Sequence, residues 1–153
     1  MPSLHGKVSI AAPAERVWRA VLEDLPGMPG WARYLKSARS EDGGAPGVGK
    51  KIRLVIDAPG DISLVMLPEV WDRPRRASGR WVDGPVSGTW SYDFATTDAE
   101  TDLTYEMDVR LGGMLRFASG MIQGRLDSGI QDAMQRLKEQ LERPGGGPDT
   151  AVS

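Results

Sequence analysis

With 153 residues, 40% of them hydrophobic and 26% charged, the chain has the make-up of about one globular domain, not of a disordered or membrane-embedded one. No cysteine and one histidine exclude disulfides, thiolate or histidine-rich metal sites, a cysteine nucleophile and a Ser-His pair. The net charge of −2 offers nucleic acid no electrostatic footprint. No positive, apolar leader opens the chain and the apolar runs are too short to span a bilayer, so a cytoplasmic protein without stable membrane insertion is expected.

Lys7–Ala11 reads as a short strand with Val8 and Ile10 on one face. Ala12-Pro13-Ala14-Glu15 then opens a helix, since proline suits the first turn and Glu15 complements the positive helix end. Val17, Trp18, Val21 and Leu22 give that helix an apolar side, and Pro26-Gly27-Met28-Pro29-Gly30 breaks it. A second short helix or a turn carries Trp31, Tyr34 and Leu35. The glycine-rich stretch Glu41 to Gly49 reads as a hairpin loop. Strands follow at Lys51–Ile56, Ile62–Trp71, Ala77–Val82, Val86–Ala95 and Asp102–Leu111, parted by turn-forming residues. A helix from about Met114 to Glu142 is long enough to cross the domain, on the order of 40 Å. A single domain over residues 1–143 is expected, with a disordered Pro/Gly-rich tail at 144–153.

The resulting order is β-α-α, five strands, then one long helix. Val8-Ser9-Ile10-Ala11-Ala12-Pro13-Ala14-Glu15-Arg16-Val17-Trp18 resembles the opening signature of the START-like (SRPBCC) superfamily, especially its polyketide cyclase/dehydrase branch. Gly84-Pro85, Trp90-Ser91-Tyr92 and the closing helix fall where that branch has them. The resemblance implies an α+β helix-grip fold: a curved antiparallel sheet of about six to seven strands around the C-terminal helix, with a ligand cavity between.

Strand alternation places Trp90, Tyr92 and Phe94 on the face toward that helix, joined by Tyr105 and Met107 on the next strand. These residues either fill a core or line a cavity. Tyr and Trp each carry a polar atom that a dry core must satisfy, which favours the cavity. On the long helix, Leu115, Ala118, Ile122, Leu126, Gly129, Ala133 and Leu137 share one arc. Glycine in a helix interior costs roughly 1 kcal/mol against alanine, so Gly129 needs a reason: close approach of the sheet, or room for a ligand. Gly120 and Gly124 lie on the polar face. Arg125 sits at the edge of the apolar arc.

By resemblance to aromatase/cyclases of the superfamily, Tyr34 falls at the pocket wall and Arg80 at a strand arginine that binds substrate oxygens. Chemically, a buried guanidinium stabilises an enolate and a tyrosine hydroxyl relays a proton. Local alternation does not decide whether Arg80 or Trp81 points inward. Glu69 stands where those enzymes tend to carry a second arginine. Buried, it pairs with Arg80 or acts as a base; exposed, it is a solvated strand charge. The candidate catalytic set is therefore Tyr34, Arg80 and Glu69. The candidate ligand-binding set is Trp31, Tyr34, Trp90, Tyr92, Phe94, Tyr105, Met107, Ile122, Arg125 and Gly129. No metal or cofactor is expected.

Three functions fit. One is a carrier of a hydrophobic small molecule, a polyketide, lipid or isoprenoid-like compound. Another is a polyketide cyclase/dehydrase that holds reacting carbons together. The third is an accessory protein, because Leu111-Gly112-Gly113-Met114-Leu115 loosely resembles the helix start of the carbon monoxide dehydrogenase G-subunit group. A monomer or weak dimer is expected, as no extended apolar seam demands a partner.

Overall fold

In the computed structural model, which describes residues 3–57, 60–97, 99–113 and 119–143, seven antiparallel strands form one curved sheet gripping a C-terminal helix. Strand β1 (Ser3–Ile10) leads into α1 (Ala14–Trp18), a π-helical turn over Arg19–Glu23, a 3-10 turn over Leu25–Gly27 and the short helix α2 (Met28–Trp31). Then come β2 (Leu35–Ser40), β3 (Ile52–Ile56), β4 (Ile62–Asp72), β5 (Arg76–Val82), β6 (Val86–Thr97), β7 (Glu100–Leu111) and α3 (Ser119–Glu142). The spatial order is β1-β7-β6-β5-β4-β3-β2. Successive strands from β2 to β7 pair as hairpins, and β1 pairs with β7. The strands on either side of α1 and α2 therefore stand at opposite edges, and the segment between them spans the width of the sheet.

Six of the seven strands follow the sequence reading. The addition is β2, which Leu35 opens instead of belonging to a second helix. Its register shifts between Leu35 and Ser37, so burial falls on Leu35 and Ala38, three residues apart. That shift removes the two-residue alternation by which a strand is read. The expected Glu41–Gly49 loop joins β2 to β3.

Helix α3 buries Ile122, Leu126, Ile130, Ala133, Met134, Leu137 and Leu141. It lies closest to the sheet at β1, where a Cβ on Gly6 would stand 2.8 Å from Ile130 Cγ2. Gln131 Nε2 donates to the His5 carbonyl and Lys138 Nζ to that of Ser9, each at 2.8 Å. Its C-terminal end is held by Arg16, which donates to the Leu141 carbonyl at 3.1 Å, and by Glu142, which accepts from the Ala11 amide at 2.8 Å. Leu115 and Ala118, the expected start of this helix near Met114 and the tail at 144–153 lie outside the described residues.

Among the described residues no helix is long and apolar enough to cross a membrane. Nor do three His, Asp or Glu side chains there gather as a metal site requires.

Candidate functional site

The inner face of the sheet carries aromatic and sulfur side chains in facing pairs. Trp90 stands opposite Met107, Tyr92 opposite Tyr105 and Phe94 opposite Leu103, all buried. The Tyr92 and Tyr105 rings stack at 4.4 Å between centroids, and Trp18 of α1 closes on Phe94 at 5.1 Å. Large rings on paired strands bury much apolar surface and prefer these offset contacts.

Trp31 and Tyr34 reach over from the α2–β2 segment. With Tyr92 and Tyr105 below them and Ile130, Ala133 and Met134 of α3 above, they enclose a cavity of ≈ 10 Å³, the room that one water needs. All three tyrosines of the chain meet there. Burial pushes the Tyr34 hydroxyl up to about 12. Burial also lifts Tyr92 and Tyr105 well above the ordinary tyrosine value; nearby tyrosine charge adds to both, and a hydrogen bond from Tyr105 partly offsets it at Tyr92. The Tyr105 hydroxyl also lies 3.3 Å from Met107 Sδ. At neutral pH the trio is uncharged. It can donate to an oxygen, and it is a poor base.

Gly129 answers neither expected reason in full. A Cβ there would come within 2.8 Å of Cβ, Cγ and Cδ1 of Tyr34, so this glycine makes room for the tyrosine ring, while the sheet approaches at Gly6. Tyr34 itself is half-buried. Its carbonyl accepts from the Asp57 amide at 2.9 Å, and the Asp57 carbonyl accepts from Arg125 Nη1 at 3.2 Å. Arg125 is exposed; it fastens α3 to the end of β3 at the rim of the site instead of pointing inward. Ile122 and Trp31 are buried where the helix and the α2 segment cover the sheet.

Arg80 and Glu69, whose facing the sequence left open, both lie on the outer side of the sheet. Trp81 takes the inner position on β5, 3% exposed, and Arg80 points out. The register shift between Pro68 and Val70 inserts Glu69 as an extra residue, which leaves both Glu69 and Val70 exposed and returns Trp71 to the inner side, opposite buried Ala77. Arg80 Nε then donates to Glu69 at 2.7 Å on the outer face. Two side chains about half exposed to solvent do not create the low-dielectric field that the catalytic expectation needs. What Arg80 contributes inward is its carbonyl, which accepts from Trp90 Nε1 at 3.1 Å. A Cβ at Gly79 would collide first with the Leu67 carbonyl of β4 and would also stand 2.9 Å from Trp90 Cζ2.

Ile130 and Met134 join the interior without having been named from the sequence, Val21 joins it from the expected apolar side of the first helical segment, and Trp81 settles the alternative with Arg80. For Trp81 the signal was strand parity: Ala77, Gly79 and Trp81 share a face, and Ala77 is the better anchor for choosing it. Outside this interior, a groove of ≈ 720 Å³ opens to solvent between Leu25–Pro26, β2 and the 43–46 loop.

Solved structures share the fold. The Zhui aromatase/cyclase from a Streptomyces species aligns with a TM-score of 0.71 and 19% identity, covering 96% of this chain and 99% of that one. TTHA0849 from Thermus thermophilus aligns at 0.70 and 20% identity, covering 90% and 95%. A START superfamily protein from Mycobacterium smegmatis aligns at 0.59 and 18%, covering 88% and 98%. At these identities the likeness is one of fold. No curated protein matches the sequence. Residues 1–142 match the family described as polyketide cyclase / dehydrase and lipid transport, and the chain belongs to that family.

Proposed function

We propose that this protein binds a hydrophobic small molecule bearing acceptor oxygens between its sheet and α3, and carries it. The observation that supports this reading is the gathering of all three tyrosine hydroxyls, neutral, at one otherwise apolar internal cavity. A core that only had to be filled gains nothing from three hydroxyls, because each costs stability when buried without a full set of partners. A polyketide, an oxygenated lipid or an isoprenoid-like compound offers acceptor oxygens along with apolar surface. The cavity is small in this conformation. Tyr34, half-buried and carried on the short segment between α2 and β2, is the wall that a ligand displaces.

Carriage is favoured over catalysis by what the interior lacks. Among the described residues, the buried polar or charged side chain apart from tyrosine and tryptophan is Thr101, and its hydroxyl is spent on the Ala12 carbonyl at 2.7 Å. Acid–base chemistry would rest on tyrosines alone. A cyclase reading remains as the second, drawn from the family and from the fold likeness to the Zhui aromatase/cyclase. In it the same hydroxyls polarise ketones that the cavity holds close together.

Native mass spectrometry of freshly purified protein, followed by solvent extraction, tests the proposal. A stoichiometric apolar, oxygenated compound is the expected result. Protein that leaves purification empty and also takes up no oxygenated naphthalene probe overturns it. A linear poly-ketone that ring-closes on the protein moves the reading from carrier to cyclase.

A further inference from the structure

We propose that the indole N–H of Trp81 is a second polar anchor of this interior, donating to an acceptor oxygen at the far end of the bound molecule. The inference rests on the binding reading above and adds to it the shape and functional groups of the ligand.

Three of the four buried tryptophans, Trp18, Trp81 and Trp90, can be compared. Trp18 Nε1 donates to Glu23 at 3.1 Å, and Trp90 Nε1 to the Arg80 carbonyl at 3.1 Å. Trp81 Nε1 is fully enclosed and has no hydrogen-bond partner. Its cross-strand neighbours are Met66 on β4 and Gly88 on β6. The first brings a thioether and the second no side chain at all, so the strand lattice sets nothing polar beside the N–H. Buried donors in folded proteins are nearly always paired, and one left alone needs an explanation. The tight pairing of Trp90 on the neighbouring strand makes the point sharper: the same residue type on the same face is anchored there by the backbone and here is not.

The spacing gives the ligand its shape. Trp81 is level with Gly88, and the tyrosine pair is level with Tyr92, four residues further along β6. Four residues of antiparallel strand measure roughly 13 Å. Between the two levels lies Trp90, whose N–H is already committed, so that stretch offers only apolar ring surface. Indole nitrogen donates and never accepts, so its partner is a carbonyl, ester or ether oxygen and not a hydroxyl acting as donor. The fitting molecule is elongated, with oxygen at both ends and an apolar middle.

Indole ¹H–¹⁵N spectra of the full chain, with the tryptophan side-chain peaks assigned, provide the test. The probes are 2,6-diacetylnaphthalene and 2,6-diethylnaphthalene, matched in shape and differing in the carbonyl at each end. The expected result is that both bind and that the Trp81 peak moves downfield with the ketone alone. Trp81→Phe should then weaken ketone binding about three- to tenfold and leave the ethyl compound unchanged. Equal responses of the Trp81 peak to the two probes overturn the anchor and leave the binding reading standing. A Trp81 peak that shows contact with water and ignores the bound ketone also overturns the anchor. If neither probe binds, the binding reading falls, and the anchor falls with it. The comparison of probes on the unaltered protein decides the matter even if the variant fails to fold.

Discussion

The two faces of this sheet are built from the same strands and do opposite things. Toward α3 stand Trp81, Trp90, Tyr92, Tyr105 and Met107, all buried, with polar atoms limited to neutral O–H and N–H groups. Away from it stand paired charges: Arg76 with Asp93 at 2.6 Å and Arg80 with Glu69 at 2.7 Å between strands, and Arg53 of β3 with Glu41, just past β2, at 2.7 Å. Pairs like these, open to solvent, stabilise by no more than about 1 kcal/mol each. The inner face excludes net charge and keeps donors, which suits an apolar guest carrying oxygen. The outer face keeps charge where water screens it, and its contribution is register and solubility.

The largest expected difference between the faces appears in alkali. The three tyrosines hold their protons more tightly in the folded protein, Tyr34 up to about 12, than in the unfolded chain, where tyrosine titrates near 10. Below pH 10 both states are protonated and stability is unaffected. Above it the unfolded chain has released protons that the folded one retains, so stability falls as pH rises, by about 1.4 kcal/mol per pH unit for each tyrosine. Tyrosinate absorbance and loss of near-ultraviolet dichroism should therefore rise together in one step above pH 10. A tyrosine that titrates near pH 10 while the fold persists would show that its hydroxyl is not buried.

Next in size is Trp90→Ala. Its side chain is 1% exposed, covers Gly79 and donates to a backbone carbonyl. Removing it should cost about 3–5 kcal/mol, read as a lower urea midpoint, and should weaken ligand retention as well. Retention unchanged in a destabilised variant would place Trp90 wholly in the structural core.

The alternation of β6 and β7 made the inner aromatic row legible before any coordinates, because a strand buried on one side repeats every two residues. Three features were not legible. The bulges at Leu35–Ser37 and at Glu69 each break that period, so the first hid a strand and the second put Glu69 outside. The facing of Arg80 against Trp81 turns on one residue of register, which a short strand between two turns does not specify. The role of Gly129 depends on Tyr34, which is 95 positions away in the chain (129 − 34) and meets it only in the fold. Local pattern fixes faces; it does not fix which distant side chain fills a gap.

Gly129 also allows a contrast within one helix. Gly124→Ala has nothing within 4 Å of the new methyl, so the gain in helix propensity, about 0.5–1 kcal/mol, should appear in full. Gly129→Ala meets the base of the Tyr34 ring, which cannot swing aside cheaply, and overpacking of this kind costs about 1–3 kcal/mol. The two substitutions should shift the urea midpoint in opposite directions. A Gly129→Ala protein as stable as the Gly124→Ala one would mean that the whole segment carrying Tyr34 shifts away from α3 at little cost.

The smallest effect belongs to Arg80→Ala, and its smallness is informative. The side chain and its Glu69 partner are 55% and 46% exposed, so the loss should stay below about 1 kcal/mol and shrink further as salt is added. The carbonyl that receives the Trp90 N–H belongs to the backbone and survives the substitution, so the inner face should not register the change. Ligand retention and any turnover should match the unaltered protein. If Arg80→Ala abolishes either one while the urea midpoint holds, the division of labour between the faces is wrong, because a charge on the outer side would then be reaching the guest.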